Sequence, residues 1–458
     1  DLKVLDPAMG SGHFIVETVD FITDKVLDFL AGFPWNPVQV LIDQRIRRQI
    51  IESLDEQGVK INEDRLTDVN LIKRLVMKRC VYGVDLNPMA VELAKVSLWL
   101  DSFTLGAPLS FMDHHLKCGN SLVGATINDL KKAAEAEFSK TERHGLLFSI
   151  PMEPLERATR NMELIADLTD ATLAEVTKSA ETYEQVLAGV EGYRALLDCL
   201  TAEHFGVKGA SQLVTEGGDL DLEHWSRTIE SLPKKEQEWV KKATATSRDR
   251  RFFHWDIDFP DVFFTRRRED ELKAFDAVVG NPPWGAVLDD EALDHARSRF
   301  KWEGSQRDTY LEFTEQAHCR LRSGGRYGMI LPDAWLTGTR YEPFRKALTR
   351  AAMPVSVVDL PYDTFPEAYV DCAILTTKTE EDEETRHNHS VTIVKFANYE
   401  RVPEDRKAWP ESQLPFDRWL TNPGVEFALL TDIDAQIIAR FDHAAYRFDT
   451  LLEIDRGL

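Results

Sequence analysis

Long apolar runs are missing from this 458-residue sequence. No stretch of about 18 uncharged apolar residues occurs, so no membrane-spanning helix is expected. No secretory leader is expected in the stretch given, because Asp1-Leu2-Lys3-Val4-Leu5 already reads as a strand. Cysteine is scarce. Cys80, Cys118, Cys199, Cys319 and Cys372 are scattered without a CxxC pair. That argues against a disulfide framework and against structural zinc, and fits a reducing cytoplasm; no metal site is expected. Positive charge is in deficit, with 55 Lys and Arg against 78 Asp and Glu and a net charge of −23. A chain so acidic offers no general basic face for nucleic-acid phosphates. Only a local groove remains possible, from Arg45-Ile46-Arg47-Arg48, from Arg248 to Arg251, or from Arg266-Arg267-Arg268.

What is present describes a folded protein. Hydrophobic residues make up 43% and charged residues 29%, a globular rather than a disordered composition, and the length implies two to four units. Strand-like runs recur at Lys3–Leu5, Cys80–Val84, Phe275–Val279, Gly328–Leu331, Val355–Leu360, Ala373–Thr377 and Val391–Phe396. Helix-periodic segments such as Met89–Leu100 and Thr309–Leu321 follow several of them. Strands alternating with helices predict an α/β fold with a mainly parallel sheet. Residues 33–78 and 126–265 break the rhythm, being charged, helix-periodic and poor in strands. They divide the chain into a core part at 1–32, a helical insertion at 33–78, a second core part at 79–125, a larger insertion at 126–265, a third core part at 266–400 and a C-terminal segment at 401–458. Glu380–Glu384 reads as an acidic loop, and His387-Asn388-His389 after it as loop rather than nuclease motif. There is no internal repeat.

Asp6-Pro7-Ala8-Met9-Gly10-Ser11-Gly12-His13-Phe14 follows the first strand and opens a helix. Its glycines let the backbone turn tightly and approach a ligand closely. A Gly-Lys-Ser/Thr ending is absent, which excludes a phosphate loop. Ile15 stands where a dinucleotide fingerprint needs a small residue. A nucleoside-binding loop remains. The second strand ends on Asp85-Leu86-Asn87-Pro88, and an acid at that tip accepts ribose hydroxyls. Gly12 and Asp85 lie 73 residues apart, against a usual gap of about 20; the first insertion explains the excess. The plainer reading makes Asp85 the N-cap of the helix that begins at Pro88.

Asn281-Pro282-Pro283-Trp284 sits at the carboxyl end of the strand Phe275–Gly280, where ligands of open α/β sheets bind. Two prolines make the loop rigid. The exocyclic amine of adenine is a weak nucleophile because its lone pair delocalises into the ring. The Asn281 side-chain oxygen and the Pro282 carbonyl suit its two hydrogens, drawing the nitrogen toward tetrahedral geometry. Trp284 offers a face on which a flipped base stacks.

The pairing of these two motifs resembles the amino-methyltransferases of DNA, in the order of their γ class. The stretch Arg79-Cys80-Val81-Tyr82-Gly83-Val84-Asp85-Leu86-Asn87-Pro88 and its continuation to Leu100 resemble a narrower group. That group is the methylase region of type IIG restriction–modification enzymes and the methyltransferases of BREX- or DISARM-like phage defence. Lys117-Cys118-Gly119-Asn120 resembles the family's third strand, Gly324–Pro332 its fifth, and Phe365–Leu375 its target-base pocket. The resemblance implies a Rossmann-like S-adenosylmethionine-dependent methyltransferase fold with large α-helical insertions, in a prokaryotic cytoplasmic protein. It implies that Asp6, Pro7, Ala8, Gly10, Gly12, Phe14, Asp85, Leu86 and Asn120 hold S-adenosyl-L-methionine, and that Asn281, Pro282, Pro283 and Trp284 act on a flipped adenine in double-stranded DNA. The family's segment before the glycine loop and its target-recognition domain are expected in the missing regions of a longer protein, possible partner subunits aside; no nuclease motif is evident. Cytosine N4, an RNA base or a protein glutamine stay open as acceptors, as does a non-catalytic DNA-binding scaffold.

Overall fold

The computed structural model describes residues 2–33, 35–56, 66–138, 151–216, 220–264, 274–286, 288–302, 308–362, 364–365, 370–396 and 400–429. The chain forms two compact units, one of Asp1–Lys301 with Asp308–Arg326, the other of Trp302–Arg307 with Tyr327–Leu458.

In the first unit β1 (Val4–Asp6), β2 (Val81–Asp85), β3 (Leu116–Cys118) and β4 (Phe275–Gly280) lie in the order β3-β2-β1-β4. All three pairings are parallel. Val4 faces Val81 on one side and Ala277 on the other. Val81-Tyr82-Gly83-Val84 is buried along its whole length, as a strand covered on both faces should be. Chain order reverses between β1 and β4, so the crevice outside their carboxyl ends is the expected ligand position. This is the α/β, Rossmann-like arrangement anticipated from the sequence.

Helices surround these strands. Ile42, Ile46, Ile50 and Leu54 recur every fourth residue and are all buried, packing with Ile15, Val19, Leu71 and Val76 into one apolar cluster. The turn Ile42–Arg47 within that run is a π-helix. The described residues between 127 and 264 form helices apart from a β-bridge at Phe252, and Leu155, Met162, Tyr193, Leu197 and Trp225 build a separate core there. Polar contacts tie that segment to the rest of the unit: Lys3 and the Tyr82 hydroxyl both contact Asp261, and Lys78, on the helix before β2, pairs with Asp170. Within the segment Arg194 pairs with Asp258 at 2.7 Å. Burying such charges costs free energy unless they are paired, and removing one partner leaves the other stranded.

β5 (Leu321–Pro332) starts in the first unit and runs into the second. The second unit adds β6 (Ala352–Asp359), β7 (Cys372–Thr379), β8 (Ser390–Lys395) and β9 (Glu411–Pro415). β6 pairs antiparallel with β7 and parallel with β8, and β9 is antiparallel to β8. Trp335, Phe344, Trp419 and Phe427 fill its core, with Trp419 and Phe427 stacked at 4.2 Å. Buried Arg345 donates to the carbonyls of Trp335, Gly338 and Gly424.

The structure adds to the sequence reading in three places. β9 was not anticipated, because Glu-Ser-Gln-Leu-Pro buries only Leu414 and shows no apolar alternation. The acidic loop is partly helical: Asp382 accepts from the Thr385 N–H and caps a turn at Glu383–His387. The basic runs are paired in part. Arg47 meets Asp43 and Asp68, Arg48 meets Glu52, and Arg250 meets Asp289 and Glu291. Arg266–Arg268 lie outside the described residues.

Candidate active site

The first glycine loop leaves β1 through Asp6, which is 1% exposed. The Ala8 N–H donates to Asp6 Oδ1 at 3.0 Å, while Oδ2 is buried with no partner among the described residues. Burial pushes the Asp6 carboxyl up to about 7, against the pull of the Ala8 N–H, and the charge of Asp85 adds to the rise. Gly10 and Gly12 both adopt positive φ, 55° and 87°, so the loop turns as anticipated. Pro7 is buried, its carbonyl receiving the Ser121 hydroxyl at 2.6 Å. Phe14 is half-buried in the first turn of the helix His13–Leu30.

Asp85 at the tip of β2 does not cap the following helix. Asn87 does, accepting the Met89 N–H at 3.0 Å. The Asp85 carboxylate instead accepts the Gly10 N–H at 2.9 Å and the Asn87 N–H at 2.8 Å, which places it against the glycine loop. Leu86 beside it is 53% exposed. The third strand's loop joins the same place, because the Gly119 N–H donates to the Asp85 carbonyl at 2.9 Å. In that loop Asn120 Oδ1 accepts the Leu122 N–H at 3.1 Å. Since an N–H needs an oxygen, this bond assigns the amide and leaves Nδ2 as the donor Asn120 has to offer.

β4 brings the second motif to the first. Gly280 has φ 151°, and a Cβ there would lie 2.7 Å from Asp6 Oδ1. Only a residue without a side chain lets the Asp6 carboxylate lie against the backbone just before Asn281. Asn281 Oδ1 is buried and has no partner among the described residues. Pro282 is buried, Pro283 exposed and Trp284 half-buried. A contact absent from the sequence reading holds this loop. The Thr309 hydroxyl donates to the Pro283 carbonyl at 2.7 Å, and Asp308 accepts the Gly285 N–H at 2.8 Å. Asp308-Thr309 before an apolar-periodic helix signals an N-cap; here the Asp308 side chain makes no cap bond and fastens the Asn-Pro-Pro-Trp loop instead.

Asp6, Gly10, Asp85, Asn120 and Asn281 therefore converge at the carboxyl ends of β1, β2, β3 and β4. Of the region likened to a target-base pocket, residues 366–369 lie outside the described residues.

A sequence profile of Eco57I restriction-modification methylases matches residues 79–365. A putative type II restriction enzyme and methyltransferase of Methanocaldococcus jannaschii is 26% identical over 400 residues, covering 82% of this chain and 30% of its own. A type II methyltransferase of Pseudomonas aeruginosa is 32% identical over 92 residues, 19% of this chain and 16% of its own. The chain thus spans less than a third of the length of either relative. Among solved structures, a DrdV–DNA complex aligns at 10% identity and a TM-score of 0.37 over 87% of this chain and 25% of that one. Structural likeness at that level carries no argument. The profile spans well over half of the sequence and includes both Asp85 and the Asn-Pro-Pro-Trp loop: the chain belongs to the Eco57I restriction-modification methylase family.

Proposed function

We propose that this chain is the catalytic core of a site-specific DNA methyltransferase that moves a methyl group from S-adenosyl-L-methionine to adenine N6, in a restriction–modification or phage-defence system. The observation that carries the reading is the buried Asn281 carbonyl oxygen, without a partner among the described residues, at the end of β4. A buried acceptor left unsatisfied costs about 1–3 kcal/mol, a cost that an incoming amino group removes. Pro283 has its carbonyl engaged by Thr309, so Pro282 O is the second acceptor for the two amino hydrogens. The pair orients the nitrogen lone pair and stabilises the positive charge that grows on it. Trp284 stacks on the extruded base.

The residues of the glycine loop fit the cofactor. Asp6 Oδ2 is an orphaned buried acceptor suited to its ammonium group, Asp85 to its ribose hydroxyls, and Leu86 with Asn120 to its adenine. When bound, the cofactor supplies an electrophilic methyl on sulfonium.

Full-length protein incubated with tritiated cofactor and unmethylated DNA tests the proposal. The wild type should yield N6-methyladenine by mass spectrometry. Asn281→Ala should lose transfer by roughly 10²-fold or more while binding the cofactor normally. A product methylated at cytosine, or wild-type turnover in Asn281→Ala, refutes it.

A further inference from the structure

The long helical segment rejoins the strands through Arg251, directly after the helix Lys234–Arg250. Arg251 has φ 55°, a left-handed conformation uncommon for a residue with a side chain. From there the chain runs beside the loop that follows β3 and is bonded to it along its length. Asn120 N–H donates to the Arg251 carbonyl at 2.7 Å and Phe253 N–H to the Val123 carbonyl at 2.8 Å. Asn120 and Phe252 form a parallel bridge. The Trp255 indole N–H donates to the Ser121 carbonyl at 3.1 Å, and the Ala125 N–H to His254 Nδ1 at 3.0 Å. Phe253 lies so close that a Cβ on either Gly119 or Gly124 would overlap it. Both ends of the loop are therefore glycine because this strap presses against it.

Arg251 also reaches sideways. Its guanidinium donates to the Leu86 carbonyl, on the turn after β2. One residue thus ties the two loops that carry Leu86 and Asn120, one through its backbone oxygen and the other through its side chain. Glycine would hold this backbone without strain, so what arginine adds at this position is the guanidinium.

We infer that Arg251 is a positioning residue for the adenine ring of the cofactor, so that the helical insertion completes the adenine subsite. The inference rests on the cofactor reading above. Leu86 offers a partly exposed apolar side chain to a purine face. Asn120, with its oxygen committed to Leu122, offers an amide donor, which matches an acceptor ring nitrogen such as adenine N1. Hypoxanthine carries a proton on that nitrogen and repels the same donor. Arg251 fixes the spacing of the face and the donor, and so sets purine selectivity.

Arg251→Gly separates this role from a structural one, because glycine keeps the positive φ without strain while removing the side chain that carries the guanidinium. Calorimetric titration of the full-length protein with S-adenosylhomocysteine and S-inosylhomocysteine, beside urea unfolding, reads it. Wild type should prefer the adenosyl compound. Arg251→Gly should bind it roughly tenfold or more weakly, as expected for one lost charge-assisted hydrogen bond, with the adenosyl-to-inosyl preference shrinking and the urea midpoint unchanged or raised. Arg251→Lys, which keeps a cationic donor, should recover part of the preference. Unchanged selectivity in Arg251→Gly overturns the inference alone. Equal weakening of both ligands with a lowered midpoint also overturns it, since that is a merely structural loss. A wild type that binds neither compound overturns the cofactor reading together with it.

Discussion

Replacing Asp6 with asparagine should stabilise the protein at alkaline pH and leave it almost unchanged in acid. The Asp6 carboxyl is held near 7 in the folded protein against a reference of 3.8. Below about pH 4 it is protonated folded or unfolded, and its burial carries no ionic cost. Between about 4 and 7 the folded protein keeps a proton that the unfolded chain has released, so its contribution to stability falls as pH rises. Above 7 both states are ionised and the slope vanishes, with the full cost in place. A shift of about three units at 1.36 kcal/mol each makes that cost about 4 kcal/mol. Asparagine keeps the oxygen that accepts the Ala8 N–H and is neutral, as the protonated acid is. The Asp6→Asn gain in urea unfolding free energy should therefore be near zero at pH 4 and grow to about 4 kcal/mol at pH 8. Cofactor binding should show the mirror image. If the Asp6 carboxylate receives the cofactor's ammonium, wild-type affinity should fall about tenfold per unit as pH drops below 7, and Asp6→Asn should bind weakly with a flat profile. A stability gain of equal size at pH 4 and pH 8 would refute the reasoning, because packing rather than ionisation would then account for it.

Further expectations follow from single contacts. Asp85→Ala should weaken cofactor binding by about 1.5–3 kcal/mol in calorimetric titration, the range for bonds to a charged group. Trp284→Ala should lose about 1–3 kcal/mol of base stacking, measured as affinity for DNA carrying an extruded adenine, and Trp284→Phe should recover much of it. Gly280→Ala should lower the urea unfolding free energy by about 1–3 kcal/mol of strain, since its Cβ would meet the Asp6 carboxylate. Thr309→Val frees the Pro283 carbonyl and should reduce kcat while leaving KM for the cofactor unchanged.

The legible parts of this protein were those whose signal is local. Gly10 and Gly12 between a strand and a helix, and Asn-Pro-Pro-Trp at a strand end, announce themselves within a few residues. Phe275–Gly280 reads as a strand from its apolar run alone, though only Phe275, Val278 and Gly280 in it are fully buried. The strap at Arg251–Trp255 gave no such warning. Arg-Phe-Phe-His-Trp resembles any apolar turn, and its partners lie far back in the chain, His254 being 129 residues from Ala125 and Trp255 134 from Ser121. The Asp85 reading was open for a related reason. Asn87 stands two residues on with equal capping ability, and only the position of Gly10 decides which residue caps and which faces the loop.

The place of β1 between β2 and β4 has a consequence for synthesis on the ribosome. Lys3 donates its backbone N–H to Asp276, 273 residues later, and Val4 has no partner on that side until Ala277 arrives. At about 5–20 residues per second, roughly fifteen seconds or more pass before β1 can be closed. During that interval an unpaired strand edge is a template for wrong pairing with other chains. The helices of residues 127–264 are translated within the same interval and form from local contacts, which are the fast ones. The crevice for chemistry is thus assembled only after the whole helical segment has been translated, and the Asp308–Thr309 contacts that fasten its second loop arrive later still.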